Sequence, residues 1–171
     1  MSATGKITDK IIATTPAHKA AIETLLAQGF GPGRHARTAE RLREQSTAYT
    51  DLSYVLSDDT AEGTQILASI SYSPIRVGGD AGLLLGPLIV SPILQNRGIG
   101  VELMTYSLAF ADKLTQFQFV LLVGDLPYYQ RVGFGSTSSA VIMPGPVDAA
   151  RLLVRGKTDI AGKVCGAPDL A

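Results

Sequence analysis

Two glycines one residue apart, Gly98 and Gly100, end the stretch LIVSPILQNRGIG at residues 88–100. The apolar run, the proline and the polar residues before them predict a strand that turns into the N-terminus of a helix. A helix N-terminus presents unpaired backbone N–H groups and the positive end of the helix dipole, which together favour a phosphate group. Glycines at that point would let the backbone approach a bulky pyrophosphate, but the same pair could also simply shape a turn. The spacing alone leaves both interpretations open.

Two better-known phosphate motifs do not fit this chain. The dinucleotide pattern G-x-G-x-x-G requires a third glycine at the position of Leu103. GKT at residues 156–158 matches the end of a P-loop, but Arg151 stands where that motif begins with glycine. Gly98 and Gly100 are therefore the phosphate-binding candidates that the sequence supports.

Composition excludes several classes of function. The chain has 171 residues, of which 46% are hydrophobic, and this predicts a single domain over residues 1–171. Fifteen basic and fifteen acidic residues balance, so neither nucleic acid nor an anionic membrane is an expected partner. Two histidines and one cysteine, Cys165, provide no triad, no disulfide framework and no metal set, so we expect no bound metal. Because neither a signal core nor a membrane span is found, a cytoplasmic location is expected.

A helix pair is predicted near the start of the chain. Thr15 and Pro16 are a typical N-cap and first helical residue, and Gly29 is placed to end the helix. The apolar face of this helix consists of Ile22, Leu25 and Leu26. After a loop rich in glycine and proline at residues 29–36, the segment RTAERLREQ at residues 37–45 predicts a second, shorter helix.

Strands follow the helix pair. Residues 51–57 and 64–74 alternate apolar and polar side chains around a turn at residues 58–63, which is typical of an antiparallel hairpin. Residues 83–90 are almost wholly apolar and predict a central strand, broken in its middle by Gly86-Pro87. Further elements are a helix from Gly98 to about Thr115, a strand over residues 117–125, and a last third with a short helix and more strands. The fold class is therefore mixed α/β.

Two motifs together resemble the GNAT N-acetyltransferase superfamily, and most closely its bacterial YhbS-like branch. The first begins at Gln95 and has glycines three and five residues later. The second is YYQRVGF, in which Tyr128-Tyr129 precede Gly133-Phe134. The resemblance covers a core of about residues 7–140 and leaves the assignment of residues 141–171 open. It implies a mixed central sheet that is splayed in the middle and flanked by helices.

The resemblance also implies an acetyl-CoA site. Backbone groups of Leu88, Ile89 and Val90 would pair with the pantetheine arm, which agrees with a ladder broken at Gly86-Pro87. Backbone N–H groups of the following turn would hold the pyrophosphate, and this turn consists of Gln95, Asn96, Arg97, Gly98, Ile99 and Gly100. Asp125 could contact the pantetheine or simply cap the short helix after it.

Tyr129 is the predicted catalytic residue, because by this resemblance its hydroxyl would protonate the departing CoA thiolate. The alternative is a packed aromatic ring, and Tyr128 is expected to belong to the core. His18 is expected on the exposed side of the first helix. Arg34, His35 and Arg37 lie in a loop that would border the acceptor pocket, where they could recognise an acidic group or form a solvated loop.

The function that the resemblance implies is direct transfer of an acetyl group from acetyl-CoA to a primary amine in a ternary complex. The acceptor could be a small molecule or a peptide, and a homodimer is possible. No histidine or carboxylate can be assigned as the general base, so a water chain could serve instead. The alternative is a non-catalytic module that keeps the CoA site as an acyl-CoA sensor or for assembly.

Overall fold

A computed structural model describes residues 7–61 and 63–171, with all of their side chains except those of His35 and Ala36. Glu62, part of the predicted hairpin turn, lies outside the described residues. The helices are α1 (Lys19–Phe30), α2 (Thr38–Glu44), α3 (Ile99–Ala111) and α4 (Leu126–Tyr129). The first five strands are β1 (Ile11–Ala13), β2 (Tyr54–Thr60), β3 (Gly63–Val77), β4 (Asp80–Val90) and β5 (Phe119–Val123). The remaining strands are β6 (Gly135–Ser136), β7 (Val141–Ile142), β8 (Leu152–Gly156) and β9 (Gly162–Gly166).

The predicted mixed sheet is confirmed. Its strands follow the order β1, β2, β3, β4, β5, β8 and β6, and β9 pairs with the far end of β3. The pairing of β4 with β5 is parallel, while the neighbouring pairs β3–β4 and β5–β8 are antiparallel. The predicted hairpin is β2 and β3, and β3 is longer than its alternating pattern indicated because it continues to Val77.

The sheet opens in its middle. β4 pairs with β5 only at Gly82, Leu83 and Leu84, although β4 continues to Val90. On its other edge, β4 stays paired with β3, with an irregularity that accommodates Gly86 and the cis proline Pro87. The two strands therefore diverge after Leu84, as predicted, and backbone groups on the inner edge of β4 face the gap.

Helices cover both faces of the sheet. α3 packs on one face through Leu103, Met104 and Leu108. On the other face, Leu42 of α2 belongs to a second apolar cluster. A third cluster joins Leu25 and Leu26 of α1 to Ile89, Val55 and Ile66 of the sheet. The amphipathic helices thus bury their apolar residues on the sheet and leave its open middle accessible.

The first helix begins and ends differently from the prediction. Pro16 opens a short 3-10 turn, in which the backbone N–H of Thr15 donates to Nδ1 of His18 at 3.1 Å, and α1 starts after it. Gly29 does not end α1, since the helix continues to Phe30. A Cβ atom at Gly29 would collide with the end of the Ile89 side chain, so glycine lets α1 approach β4 closely without moving that side chain.

The C-terminal segment, whose assignment the sequence left open, packs against α2. The Thr38 hydroxyl donates to the Pro146 carbonyl at 2.8 Å, and the backbone N–H of Gly166 donates to Oε1 of Gln45 at 3.1 Å. These two hydrogen bonds hold the start and end of α2 against residues that follow β6 in the chain. The segment is therefore part of the sheet and of the wall beside α2.

Candidate functional site

Two cavities lie at the open part of the sheet. The larger, about 650 Å³, lies between the diverging ends of β4 and β5 and extends to α2 and the C-terminal segment. The smaller, about 430 Å³, lies at the N-terminus of α3. Tyr128 lines both cavities, so the two spaces meet at its ring. We call the smaller space the cradle and the larger one the central cavity.

Free backbone donors converge on the cradle. The N–H groups of Asn96, Arg97 and Gly98 have no hydrogen-bond partner within the described part of the chain. They directly precede the first turn of α3, whose own N–H groups are also unpaired within the helix. Gln95 differs, because its N–H donates weakly to the Pro92 carbonyl at 3.4 Å. The donors and the helix dipole together make this turn a site for an anion.

Gly98 and Gly100, the two glycines at the end of the 88–100 stretch, have different roles. Gly98 has φ of 80°, a left-handed conformation that a side chain would strain, while the space around it is open. Gly100 has an ordinary backbone, but a Cβ atom there would collide with the hydroxyl of Tyr128. Gly98 therefore permits the turn, whereas Gly100 leaves room for Tyr128.

Most of the predicted pyrophosphate residues line the cradle, and one does not. The lining includes Gln95, Asn96, Gly98, Ile99 and Gly100. Arg97 is exposed and does not line it. Arg131 does line it, although the sequence analysis did not select this residue. The signal was present, because Arg131 lies inside the YYQRVGF motif, two residues after Tyr129.

The three residues predicted to pair with the pantetheine arm do not all face the same edge of β4. Leu88 lines the central cavity and Val90 lines the cradle. Ile89 instead packs beneath α1, and the N–H of Ser91, two residues later, donates to Leu67 of β3 at 2.8 Å. By strand alternation, the backbone of Ile89 also faces β3, whereas Leu88 and Val90 face the gap. The polar backbone groups of Ile89 are therefore directed into the sheet, and of the three predicted residues Leu88 and Val90 present theirs to the gap.

Tyr129 faces the central cavity from α4. Its ring packs edge-on against Phe134 and Tyr128 and fits against Gly124, where a Cβ atom would collide with it. Its hydroxyl makes no hydrogen bond to any described residue. Burial raises the pKa of Tyr129 to about 12, and the nearby Arg151 and Arg43 partly oppose this increase. The hydroxyl therefore remains a protonated donor at neutral pH.

Tyr128 packs against the core, as expected, but it is only half-buried. Its ring lies where the cradle and the central cavity meet, and its hydroxyl lies against Gly100. Burial raises the pKa of its hydroxyl, while Arg131 acts in the opposite direction. Only the family resemblance distinguished Tyr128 from Tyr129 in the sequence, because both positions of the short helix carry the same residue type.

A largely buried arginine that was not predicted from the sequence, Arg43, lines the central cavity. Nε of Arg43 donates to the Gly86 carbonyl at 2.9 Å, and Nη1 donates to Oε2 of Glu40 at 2.8 Å. The Ser71 hydroxyl also donates to the Gly86 carbonyl, at 3.2 Å. Burial lowers the pKa of Arg43, and the hydrogen bond that it donates to Glu40 opposes that change. Arg43 thus satisfies a carbonyl that the irregularity in β4 leaves without a sheet partner.

Asp125 lines the central cavity at its rim. Its carboxylate is 76% exposed and accepts a hydrogen bond from Nε of Arg151 at 3.1 Å. Asp125 precedes α4 as its N-cap residue, but its side chain makes no capping hydrogen bond. Of the two roles considered, helix capping by the carboxylate is therefore not observed.

Neither a membrane-spanning helix nor a metal-binding cluster is found among the described residues. No helix in residues 7–61 and 63–171 is long and apolar enough to cross a bilayer. Over the same residues, no cluster of three or more His, Cys, Asp or Glu side chains could hold a metal ion.

Comparison with known proteins gives a family match and several structural relatives. The acetyltransferase (GNAT) family matches residues 13–134. The GNAT family N-acetyltransferase YhbS of Escherichia coli in complex with CoA has a TM-score of 0.72 at 22% identity, covering 92% of this chain and 88% of that one. A GNAT family acetyltransferase of Brucella melitensis in complex with acetyl-CoA has a TM-score of 0.65 at 24% identity, covering 94% and 97%.

A more distant relative is Arabidopsis thaliana Naa50, solved with the bisubstrate analogue CoA-Ac-MVNAL. Its TM-score is 0.58 at 12% identity, and the match covers 86% of this chain and 97% of that one. No curated protein matches the sequence. At identities below 25%, these structures establish a common fold.

Proposed function

The chain belongs to the GNAT acetyltransferase family, and from that premise we propose that it transfers the acetyl group of acetyl-CoA to a primary amine. The observation that carries the proposal is that the cradle and the central cavity are adjacent and share Tyr128 in their linings. Unpaired N–H groups before α3 offer a phosphate site, and the gap beside β4 leads from there to the hydroxyl of Tyr129. A thioester held along this path would lie beside a proton donor.

Acetyl-CoA would be held mainly by the backbone. Its pyrophosphate would accept hydrogen bonds from the turn before α3, with Arg131 adding charge at the side. Its pantetheine amides would pair with the free edge of β4 at Leu88 and Val90, as an added strand would. This arrangement requires few specific side chains, which agrees with the low sequence identity of the CoA-bound relatives.

The reaction would proceed by direct attack. The neutral amine forms a bond to the thioester carbonyl carbon, the carbon–sulfur bond breaks, and the sulfur leaves with the electron pair. The Tyr129 hydroxyl donates its proton to the thiolate, and the proton lost by the amine leaves through a base or water. Glu40 is the least exposed carboxylate of the central cavity, but its ion pair with Arg43 makes it a poor base.

A second candidate is an acyl-CoA sensor without catalysis, since a fold does not fix a function. The relatives solved with CoA, acetyl-CoA or a peptide-linked CoA analogue favour an acetyltransferase and an amine acceptor. The free hydroxyl of Tyr129 also favours catalysis, because a site that only binds the thioester has no need of a proton donor.

Two measurements separate these candidates. Isothermal titration with acetyl-CoA tests binding, and release of free CoA over a panel of small amines and peptides tests transfer. We expect binding, and CoA release that depends on the acceptor and yields one acetylated product per CoA. Binding without product from any acceptor would favour the sensor, while the absence of binding would exclude both.

A further inference from the structure

Charged side chains surround the central cavity. Among the described residues, its lining contains four arginines and three carboxylates. The arginines are Arg34, Arg37, Arg43 and Arg151, and the carboxylates are Glu40, Asp125 and Asp148. An acceptor that enters this cavity therefore meets side chains of both signs, and the charges that remain unpaired should select it.

Three of the four arginines already have carboxylate partners. Arg34 is almost fully buried and pairs with Glu23 of α1. The other two pairs are Arg43 with Glu40 at 2.8 Å and Arg151 with Asp125 at 3.1 Å. A guanidinium neutralised in this way has little attraction left for a second anion.

Arg37 is the exception. No carboxylate in the described part of the chain lies within ion-pair distance of its guanidinium. The guanidinium carbon instead lies 5.2 Å from the centre of the Phe30 ring. Stacking on an aromatic ring holds a guanidinium in place and leaves its N–H groups free to donate in their plane. Arg37 is thus a charged, oriented donor at the wall of the central cavity.

Asp148 provides the opposite charge. Oδ1 of Asp148 accepts the backbone N–H of Ala150 at 2.9 Å, and no cationic side chain in the described residues pairs with its carboxylate. The central cavity therefore carries one unpaired guanidinium and one unpaired carboxylate. This pattern is complementary to a ligand that contains both an ammonium and an anionic group.

We propose that the acceptor amine also carries a carboxylate, and that Arg37 binds this carboxylate. The proposal rests on the proposed acetyl transfer, since it describes the acceptor of that reaction. A carboxylate is favoured over a phosphate because one unpaired guanidinium matches one negative charge and its fork of donors accepts two carboxylate oxygens. Asp148 would attract the ammonium form of the amine as it enters.

Turnover of matched amines tests the proposal. Each pair has one amine with a carboxylate and one without, such as γ-aminobutyrate with butylamine and phenylalanine with phenethylamine. We expect kcat/KM to be about tenfold or more higher for the carboxylate-bearing member of at least one pair, as one charge-assisted contact provides. Arg37→Gln should remove this preference, mainly by raising KM for the carboxylate-bearing member.

Arg41→Gln is the matched control. Arg41 is exposed on α2, the helix that Arg37 precedes as its N-cap residue, and it does not line the central cavity, so this variant removes an equal charge from the same region. It should keep the preference of the wild-type protein. If both variants lost the preference for the carboxylate-bearing amine equally, the overall positive charge of this region, and not Arg37, would attract the acceptor. That result would overturn the proposal.

A binding measurement separates this proposal from the proposed function. Isothermal titration of the same pairs into the protein saturated with CoA requires no chemistry. Tighter binding of the carboxylate-bearing member, lost in Arg37→Gln, would support the anion site even if no acetylated product forms. Equal binding of both members, or binding of neither, in a protein that does acetylate other amines would overturn it and leave the acetyltransferase assignment intact.

Discussion

The cradle and the central cavity are built in different ways. The cradle comes mainly from one continuous segment, residues 90–100, and it offers backbone N–H groups and a helix N-terminus. The central cavity is assembled from four separate segments, which are residues 30–43, 85–88, 122–129 and 146–151. Its chemistry lies in side chains such as Arg37, Arg43 and Tyr129. A site formed by the backbone of one segment suits a ligand that stays the same, such as acetyl-CoA. A site formed by side chains from distant segments can suit an acceptor that differs between related proteins.

The first prediction tests the cradle. Gly100→Glu places a carboxylate where the pyrophosphate would lie, so acetyl-CoA affinity should fall by about a hundredfold or more. Glutamate in the first turn of α3 suits the helix dipole, so thermal unfolding should show a folded protein. Gly79→Glu is the control, because Gly79 has open space around it and lies outside both cavities. Unchanged affinity in Gly100→Glu would remove the cradle assignment.

Gly100 is a better test position than Gly98. At Gly98 any side chain is strained by φ of 80°, so a loss of binding there would mix backbone damage with charge. Gly100→Ala supplies the neutral comparison, since its Cβ also displaces the Tyr128 hydroxyl. Its affinity should lie between those of the wild-type protein and Gly100→Glu.

The second prediction tests the chemistry of the central cavity. Tyr129→Phe keeps the ring and deletes the hydroxyl, so kcat should fall by about a hundredfold or more while acetyl-CoA affinity changes little. Tyr128→Phe is the matched control and should change affinity more than kcat, because its hydroxyl lies beside the cradle. A Tyr129→Phe enzyme with the wild-type kcat in a chemistry-limited assay would show that the residue only packs.

The third prediction concerns the support beneath the central cavity. Arg43→Met retains much of the apolar stem but removes the donor to Gly86, so the free energy of unfolding should fall by about 1–3 kcal/mol. Arg41→Met, on the exposed side of α2, should change it by less than about 0.5 kcal/mol. Urea denaturation measures both variants. Equal effects would show that the Gly86 carbonyl does not depend on Arg43.

The smallest effect is expected outside both cavities, where Arg155 pairs with Asp112 after α3. The hydrogen bond from Arg155 lowers the pKa of Asp112, and burial opposes it. Since the folded-state pKa is depressed, the stabilisation is present above the unfolded-state pKa of about 4 and is lost as pH falls through the folded-state value. Asp112→Asn should cost about 0.5 kcal/mol at pH 7, because the pair is partly exposed. Urea denaturation should show this difference disappearing in acid.

The contrast between the two cavities also explains what the sequence could predict. The strand, turn and helix around Gly98 are set by neighbours in the chain, so their order and the splay at Gly86 were predicted from the pattern. Arg43 was missed because its partner Gly86 lies far along the chain, and nothing in the second helix marks one arginine as buried. The direction of the Ile89 backbone could not be predicted, because it depends on which neighbouring strand β4 pairs with.

The C-terminal segment has the least predictable place in the fold. Its strands are short, and β9 joins β3 only at Ile75, Arg76 and Val77. No local pattern in residues 141–171 identifies β3 as the partner, because that pairing depends on the free edge which β2 leaves beyond Ile70. The hydrophobic periodicity of a segment indicates a strand but not which distant strand it pairs with.

The contact between α2 and the C-terminal segment has a consequence for how the protein could be engineered. Thr38 bonds to Pro146, and Gln45 bonds to Gly166, while the family match ends at residue 134. The wall of the central cavity is thus partly held by residues that lie beyond the family match. Substitutions in residues 146–151, together with the facing side of α2, should alter this wall without altering residues 90–100. Under the proposed function, the choice of acceptor would then change while the acetyl-CoA site stays the same.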